Sequence, residues 1–123
     1  MYPGFEHTLI KYCCKYEDKF LNNNFENELF VDILRECGNS LFKKNKLLSA
    51  RKVYYCGIQF GWNFCKPMKN KSNMIAILFN NIAVTYCVEK EFEKAKIWAV
   101  QALDFKPDYE KCQIRLKYIL KKL

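Results

Sequence analysis

Residues 79–107 read FNNIAVTYCVEKEFEKAKIWAVQALDFKP. Phe79, Ala83 and Tyr86 are spaced by four and then three, so they share one face of a helix; Ala95, Ala99 and Ala102 are spaced the same way and share a face of the next. Pro107 stands where this pair must stop. Small side chains on one face and large ones on the other let two antiparallel helices approach closely while the large groups fill the space beside them. The same spacing occurs earlier in the sequence. Measured from Gly38, the residues Leu34, Leu41, Ala50, Tyr54 and Gly57 fall at the offsets that Phe79, Tyr86, Ala95, Ala99 and Ala102 hold from Ala83. The protein therefore contains an internal repeat of a helix pair, with its anchors 45 residues apart.

Working outward, the flanking segments are also helical. Leu9, Ile10, Cys13, Tyr16 and Phe20 recur at helical spacing and predict a helix that ends at Asn22, Asn23 and Asn24. Further patterns run over about 26–44, 47–64, 74–88 and 91–105, and a last one follows Pro107 and Asp108 to the C-terminus. Lys69 to Ser72 break the apolar pattern, and Ser72 or Asn73 is the expected cap of the helix beginning at Met74. Only 4 Gly and 3 Pro in 123 residues leave too few turn formers for a sandwich or barrel. The expected fold is all-α, with about six helices in antiparallel pairs forming one soluble domain. An N-terminal helical extension takes residues 1–27 and the repeat domain 28–123. Within that domain the first repeat covers 31–64 with an extension to 72, the second 74–107, and a terminal helix 108–123.

The balance of charge is +8, which implies a polyanionic partner: a nucleic acid, an acidic membrane surface or an acidic peptide. The seven cysteines, Cys13, Cys14, Cys37, Cys56, Cys65, Cys87 and Cys112, contain no C-x-x-C pair, and His7 is the only histidine. No zinc site follows from them, and they read as free thiols, mostly small core residues, in a cytoplasmic protein. The longest apolar run, Met74 to Phe79, is far short of the ~20 residues that span a bilayer. One histidine near a terminus gives nucleophilic chemistry a single candidate base. No glycine-rich phosphate loop and no H-E-x-x-H is present. The expectation is a binding protein with no catalytic residues, cofactor, metal or small-molecule substrate.

The order of small, aromatic and Pro residues resembles the tetratricopeptide repeat, whose unit is 34 residues. The resemblance covers about Val31 to Leu123 and implies a superhelix with a concave groove lined by the first helix of each unit. The excess of 11 residues in the first unit falls around Phe60 to Asn70 and implies either a longer second helix or a longer loop. A step of 34 from Ala83 reaches Lys117, flanked by Gln113 and Leu120, which marks a third unit reduced to its first helix.

Groove positions then become candidates for function. Arg35 and Asn39 lie four apart, as do Lys111 and Arg115, and Asn81 and Arg115 are 34 apart. Cationic groups and amides converging in this way suit two adjacent carboxylates, as at the C-terminus of a protein ending in Asp. The set Arg35, Asn39, Asn81, Lys111 and Arg115 looks like the dicarboxylate clamp of tetratricopeptide co-chaperones, with Arg35 where that family usually has Lys. The resemblance implies binding of the Glu-Glu-Val-Asp C-terminus of cytosolic heat-shock chaperones of the ninety- or seventy-kilodalton class. Phe42 and Val84, three residues beyond Asn39 and Asn81, could receive an apolar side chain of such a ligand, or serve only in helix packing. Trp62 and Trp98 read as packing residues, and the lysines at 43, 44, 46, 66, 69 and 71 as solvated helix ends. Two other functions compete: a basic helical-repeat protein that binds RNA, and a repeat scaffold for an unrelated peptide.

Overall fold

A computed structural model describes residues 24–64 and 69–123. It is all-α: α1 (Asn24–Lys43), α2 (Leu47–Phe64), α3 (Lys69–Val88), α4 (Phe92–Phe105) and α5 (Glu110–Lys122). These are five helices among the described residues, and the helix expected up to Phe20 lies outside them, as do His7, Cys13, Cys14 and Cys65.

The repeat in the sequence returns as a repeated turn. α1 ends with Asn45 at φ 61° and α3 with Lys90 at φ 60°, both in the left-handed region. In each turn one amide bonds back five residues, Lys46 to the Leu41 carbonyl and Glu91 to the Tyr86 carbonyl, both at 2.9 Å. The amide before it bonds a nearer carbonyl, Asn45 to Phe42 and Lys90 to Cys87. This pair of bonds is the Schellman closure, which satisfies carbonyls that a helix end leaves without partners. Every residue in it has its counterpart 45 positions later. The backbone then re-enters a helix at equivalent places, with Ala50 bonding to Lys46 and Ala95 to Glu91.

Each helix packs on its neighbours in sequence: α1 with α2, α2 with α3, α3 with α4 and α4 with α5. The odd-numbered helices also pack on the next but one, α1 with α3 and α3 with α5, whereas α1 and α5 do not touch. The core follows suit as overlapping clusters. Val31, Tyr54, Phe60, Ile75, Leu78 and Ile82 are buried among α1, α2 and α3. Ala83, Ala95, Ala99, Ala102, Cys112 and Ile119 are buried among α3, α4 and α5. Phe79, Tyr86 and Trp98 pack against both clusters and join them. The small residues at the repeat positions act as the sequence requires. Gly38 faces the Tyr54 ring so closely that no Cβ fits, and Gly57 lies against Leu78 and Leu34.

Two expectations need correction. α3 starts at Lys69 and not at Met74, so Ser72 and Asn73 lie inside a helix and cap nothing. A lapse in apolar periodicity reads as a break, but Lys is a good helix former, and a polar turn can continue a helix. The extra residues of the first repeat accordingly lengthen helices, with α2 running to Phe64 and α3 beginning early. The thiols are also less uniform than expected: Cys56 and Cys112 are buried, but Cys37 is exposed and Cys87 half-buried. The lysines at 43, 44 and 46 are exposed, as solvated helix ends should be.

Candidate functional site

Three helices, α1, α3 and α5, carry the five residues singled out by the sequence, and α3 packs on both of the others. The burial pattern aligns α3 with α5. Leu78, Ile82 and Thr85 are buried on α3; 34 residues on, Cys112 and Ile119 are buried on α5 and Leu116 is half-buried between them. The residues one place before Ile82 and Leu116 are Asn81 and Arg115. They thus hold equivalent places on adjacent helices, and both are half-buried. By contrast Gln113, Lys117 and Leu120, at the offsets that pack against a second helix in the earlier repeats, are exposed.

On α1, Asn39 is fixed by its neighbour. The Tyr54 hydroxyl donates to Asn39 Oδ1 at 2.5 Å, which leaves the Asn39 NH₂ as the group able to donate outward. Burial pushes the Tyr54 hydroxyl up to about 12, with the nearby Arg35 charge opposing the shift. Arg35 is already engaged. Its Nε donates to Asp32 Oδ1 at 2.9 Å, its terminal nitrogen lies 2.8 Å from the same oxygen, and Glu36 Oε1 stands at 3.8 Å. The i, i+3 spacing of Asp32 and Arg35 is visible in the sequence, and it counts against Arg35 as a free cation.

On α5, Lys111 is exposed and Arg115 half-buried, and neither has an ion-pair partner among the described residues. Arg115 stands near two thiols. Burial pushes Cys112 up to about 11 and also raises Cys87, while the Arg115 charge lowers both. Cys112 Sγ is anchored on the Ala99 carbonyl at 3.3 Å, which ties α5 to α4. Burial likewise raises the Tyr109 hydroxyl, against which the Asn80 side chain supplies a hydrogen bond.

The structure therefore brings together Arg35, Asn39 and Tyr54, and it gives Asn81 and Arg115 the same half-burial at positions 34 apart on α3 and α5. The α1 and α5 pairs do not meet directly, since only α3 joins their helices. Phe42 is half-buried and packs in part against the core, and Val84 is half-buried as well.

No family model, curated protein or solved structure matches this sequence.

Among the described residues no group of His, Cys, Asp or Glu could hold a metal ion, and no helix is long and apolar enough to cross a membrane. What sequence reasoning missed is on α2 and α4. Tyr55, Gln59, Trp62, Trp98 and Gln101 border a cavity of about 400 Å³. No spacing rule reveals it, because its two walls are separated in sequence by the whole of α3.

Proposed function

We propose that the protein is a non-enzymatic adaptor of tetratricopeptide type that holds the acidic C-terminal tail of a partner protein. Its α1, α3 and α5 helices line the concave side of a short superhelix. The observation that carries this reading is the 34-residue register of buried positions on α3 and α5, since it sets Asn81 and Arg115 at equivalent places. Lys111 and Arg115 support it further, as cations whose charge nothing among the described residues neutralises.

In this mechanism a terminal Asp presents its main-chain and side-chain carboxylates together. Lys111 and Arg115 supply charge-assisted bonds, and Asn39 and Asn81 donate from their NH₂ groups without adding charge. Asn39 is preorganised for this by the Tyr54 hydroxyl on its oxygen. Arg35 contributes less than Lys111 or Arg115, because a ligand carboxylate must first displace Asp32 from it. Phe42 and Val84 border the place of the penultimate apolar side chain. The ligand this arrangement resembles most is the Glu-Glu-Val-Asp tail of cytosolic heat-shock chaperones.

Titration calorimetry with a decapeptide ending in Met-Glu-Glu-Val-Asp, beside its C-terminally amidated twin, tests the reading. The free acid binds and the amide does not. Lys111→Ala and Arg115→Ala each cost about 1.5 to 3 kcal/mol, and Arg35→Ala costs less than either. Equal binding of the two peptides, or of neither, overturns it. RNA binding with a steep loss of affinity as salt rises would then replace it.

A further inference from the structure

The back of the first helix pair is more tightly closed than its described neighbours account for. Leu34 of α1 with Val53 and Cys56 of α2 form a third buried cluster, flanked by Phe30 and Leu41, to which α3, α4 and α5 contribute nothing among the described residues. On α2 the spacing of four, three and four puts Ser49, Val53, Cys56 and Phe60 in one stripe, and none is more than 3% exposed. The repeat shows where such a stripe looks. Its counterparts 45 positions later are Lys94, Trp98, Gln101 and Phe105 of α4, and Trp98 meets Tyr55 of the preceding α2 edge to face, at 6.1 Å between centroids. The stripe of α4 looks back at the helix pair before it, so the stripe of α2 looks back at a place before α1.

No described helix precedes α1, yet the α2 stripe is the more deeply buried of the two. Lys94 and Gln101 are exposed, and Trp98 and Phe105 only half-buried. Phe30, Cys56 and Phe60 are also engaged beyond the neighbours described above. A further segment therefore covers the groove between the backs of α1 and α2. The adjoining row of α1 limits where that cover lies. Leu29 is 50% and Ile33 46% exposed, and Cys37 in the same row is exposed as well, so the cover sits over Phe30, Leu34 and Leu41 and stops short of this row.

Attachment, length and pattern all select the chain's own residues 1–23 as the cover. They join α1 at Asn24, and a helix that closes at Phe20 leaves only Leu21, Asn22 and Asn23 as the link. A link of that length makes a hairpin of two helices, so the segment has to run back along α1. Leu9 to Phe20 is eleven helical steps, about 16 Å, and so is Ser49 to Phe60. On a helix Leu9, Cys13, Tyr16 and Phe20 fall within about 60° of one another, and Lys11, Lys15 and Asp18 fall on the opposite side. One face can thus be buried and the other left in water.

We propose that residues 9–20 form a helix that runs antiparallel to α1 and seats Leu9, Cys13, Tyr16 and Phe20 in the groove lined by Phe30, Leu34, Val53, Cys56 and Phe60. This helix stands where the second helix of a preceding repeat would, and it closes that end of the stack with a polar outer face, as the terminal unit of a helical repeat must. It uses no residue of the carboxylate site.

The adjacent thiols Cys13 and Cys14 separate the two faces of this helix and supply the test. The whole chain is labelled with N-ethylmaleimide and each cysteine followed by mass spectrometry, with fragment ions resolving the two neighbours. Each rate is compared with that of the same thiol in denaturant, so that intrinsic reactivity cancels. Cys13 and Cys56 are protected at least about tenfold more than Cys14 and the exposed Cys37. Tyr16→Glu raises the labelling of Cys13 and Cys56 at least about tenfold, whereas Lys15→Glu, on the outer face, leaves both unchanged. Cys112, anchored between α4 and α5, stays protected in both variants. Tyr16→Ala gives the same order with a smaller rise, so an unfolded Glu variant does not hide the answer. Equal protection of Cys13 and Cys14 in the unaltered protein overturns the proposal. So does a Tyr16→Ala protein in which Cys56 stays as protected as before, or in which Cys112 is exposed as much as Cys56.

Discussion

Gly38 is the residue at which the repeat pattern acquires a steric meaning. A Cβ there would stand among the atoms of the Tyr54 ring, and that ring is held by the bond from its hydroxyl to Asn39, so it cannot swing aside without losing the partner of a buried group. Alanine normally favours a helix over glycine by about 1 kcal/mol, but forcing a methyl into a filled site costs about 1 to 3 kcal/mol. Gly38→Ala is thus expected to lower the unfolding free energy, by up to about 2 kcal/mol, in urea denaturation. A stabilised variant would show that the ring relaxes freely and that Gly38 does not set the α1–α2 approach. The small residue at this position is readable from the sequence, as are the large residues that surround it. The engagement of Arg35 is readable only from its spacing to Asp32, three places away, because cations matched at fixed offsets do not by themselves reveal which of them are already neutralised. Trp62 reads as a packing residue and does lie edge to face with Phe105, at 5.9 Å, yet most of its surface faces water.

Helix ends show how far element boundaries follow from local chemistry. α2 runs from Leu47 to Phe64, as its pattern predicts, and α4 and α5 differ from theirs by a residue or two. α3 differs at its start, since polar residues there remove the apolar stripe without removing the helix. The two Schellman turns use unlike residues at the left-handed position. Asn tolerates that conformation, whereas for Lys it costs roughly 1 to 2 kcal/mol. Lys90 is exposed, so burial of its aliphatic stem does not offset that cost. Lys90→Gly relieves the strain and gives back part of it in backbone entropy, for a net gain of about 0.5 to 1 kcal/mol. Asn45→Gly, in the equivalent turn, gains distinctly less. Thermal denaturation of the two variants side by side checks the ordering, and a destabilised Lys90→Gly would mean that the turn is not strained as its φ indicates.

Across the whole molecule, packing passes from each helix to near neighbours only, so stability is a sum of local interfaces and opening begins at an end. α5 is such an end, with its outward residues Gln113, Lys117 and Leu120 in water. Among the described residues it also carries an alkali-sensitive contact. Burial raises the Cys112 thiol from 9.0 to about 11, so the folded protein keeps a proton that the unfolded one releases. The stability this represents is fully present below pH 9 and is lost as pH rises through about 11. The buried Tyr54 hydroxyl of the α1–α2 cluster follows the same sign one unit higher, from 10.0 to about 12. The contribution of Cys112 is therefore lost at lower pH than that of Tyr54. Melting temperature measured in steps from pH 8 to 11 is expected to fall above pH 9, and Cys112→Ala, although less stable at pH 8, is expected to fall less steeply. Parallel slopes for the two proteins would remove Cys112 as the cause. Hydrogen exchange near pH 8 gives the complementary reading: α5 amides exchange through an opening that leaves α3 protected, because among the described residues α3 packs on all four other helices and α5 on α3 and α4 alone.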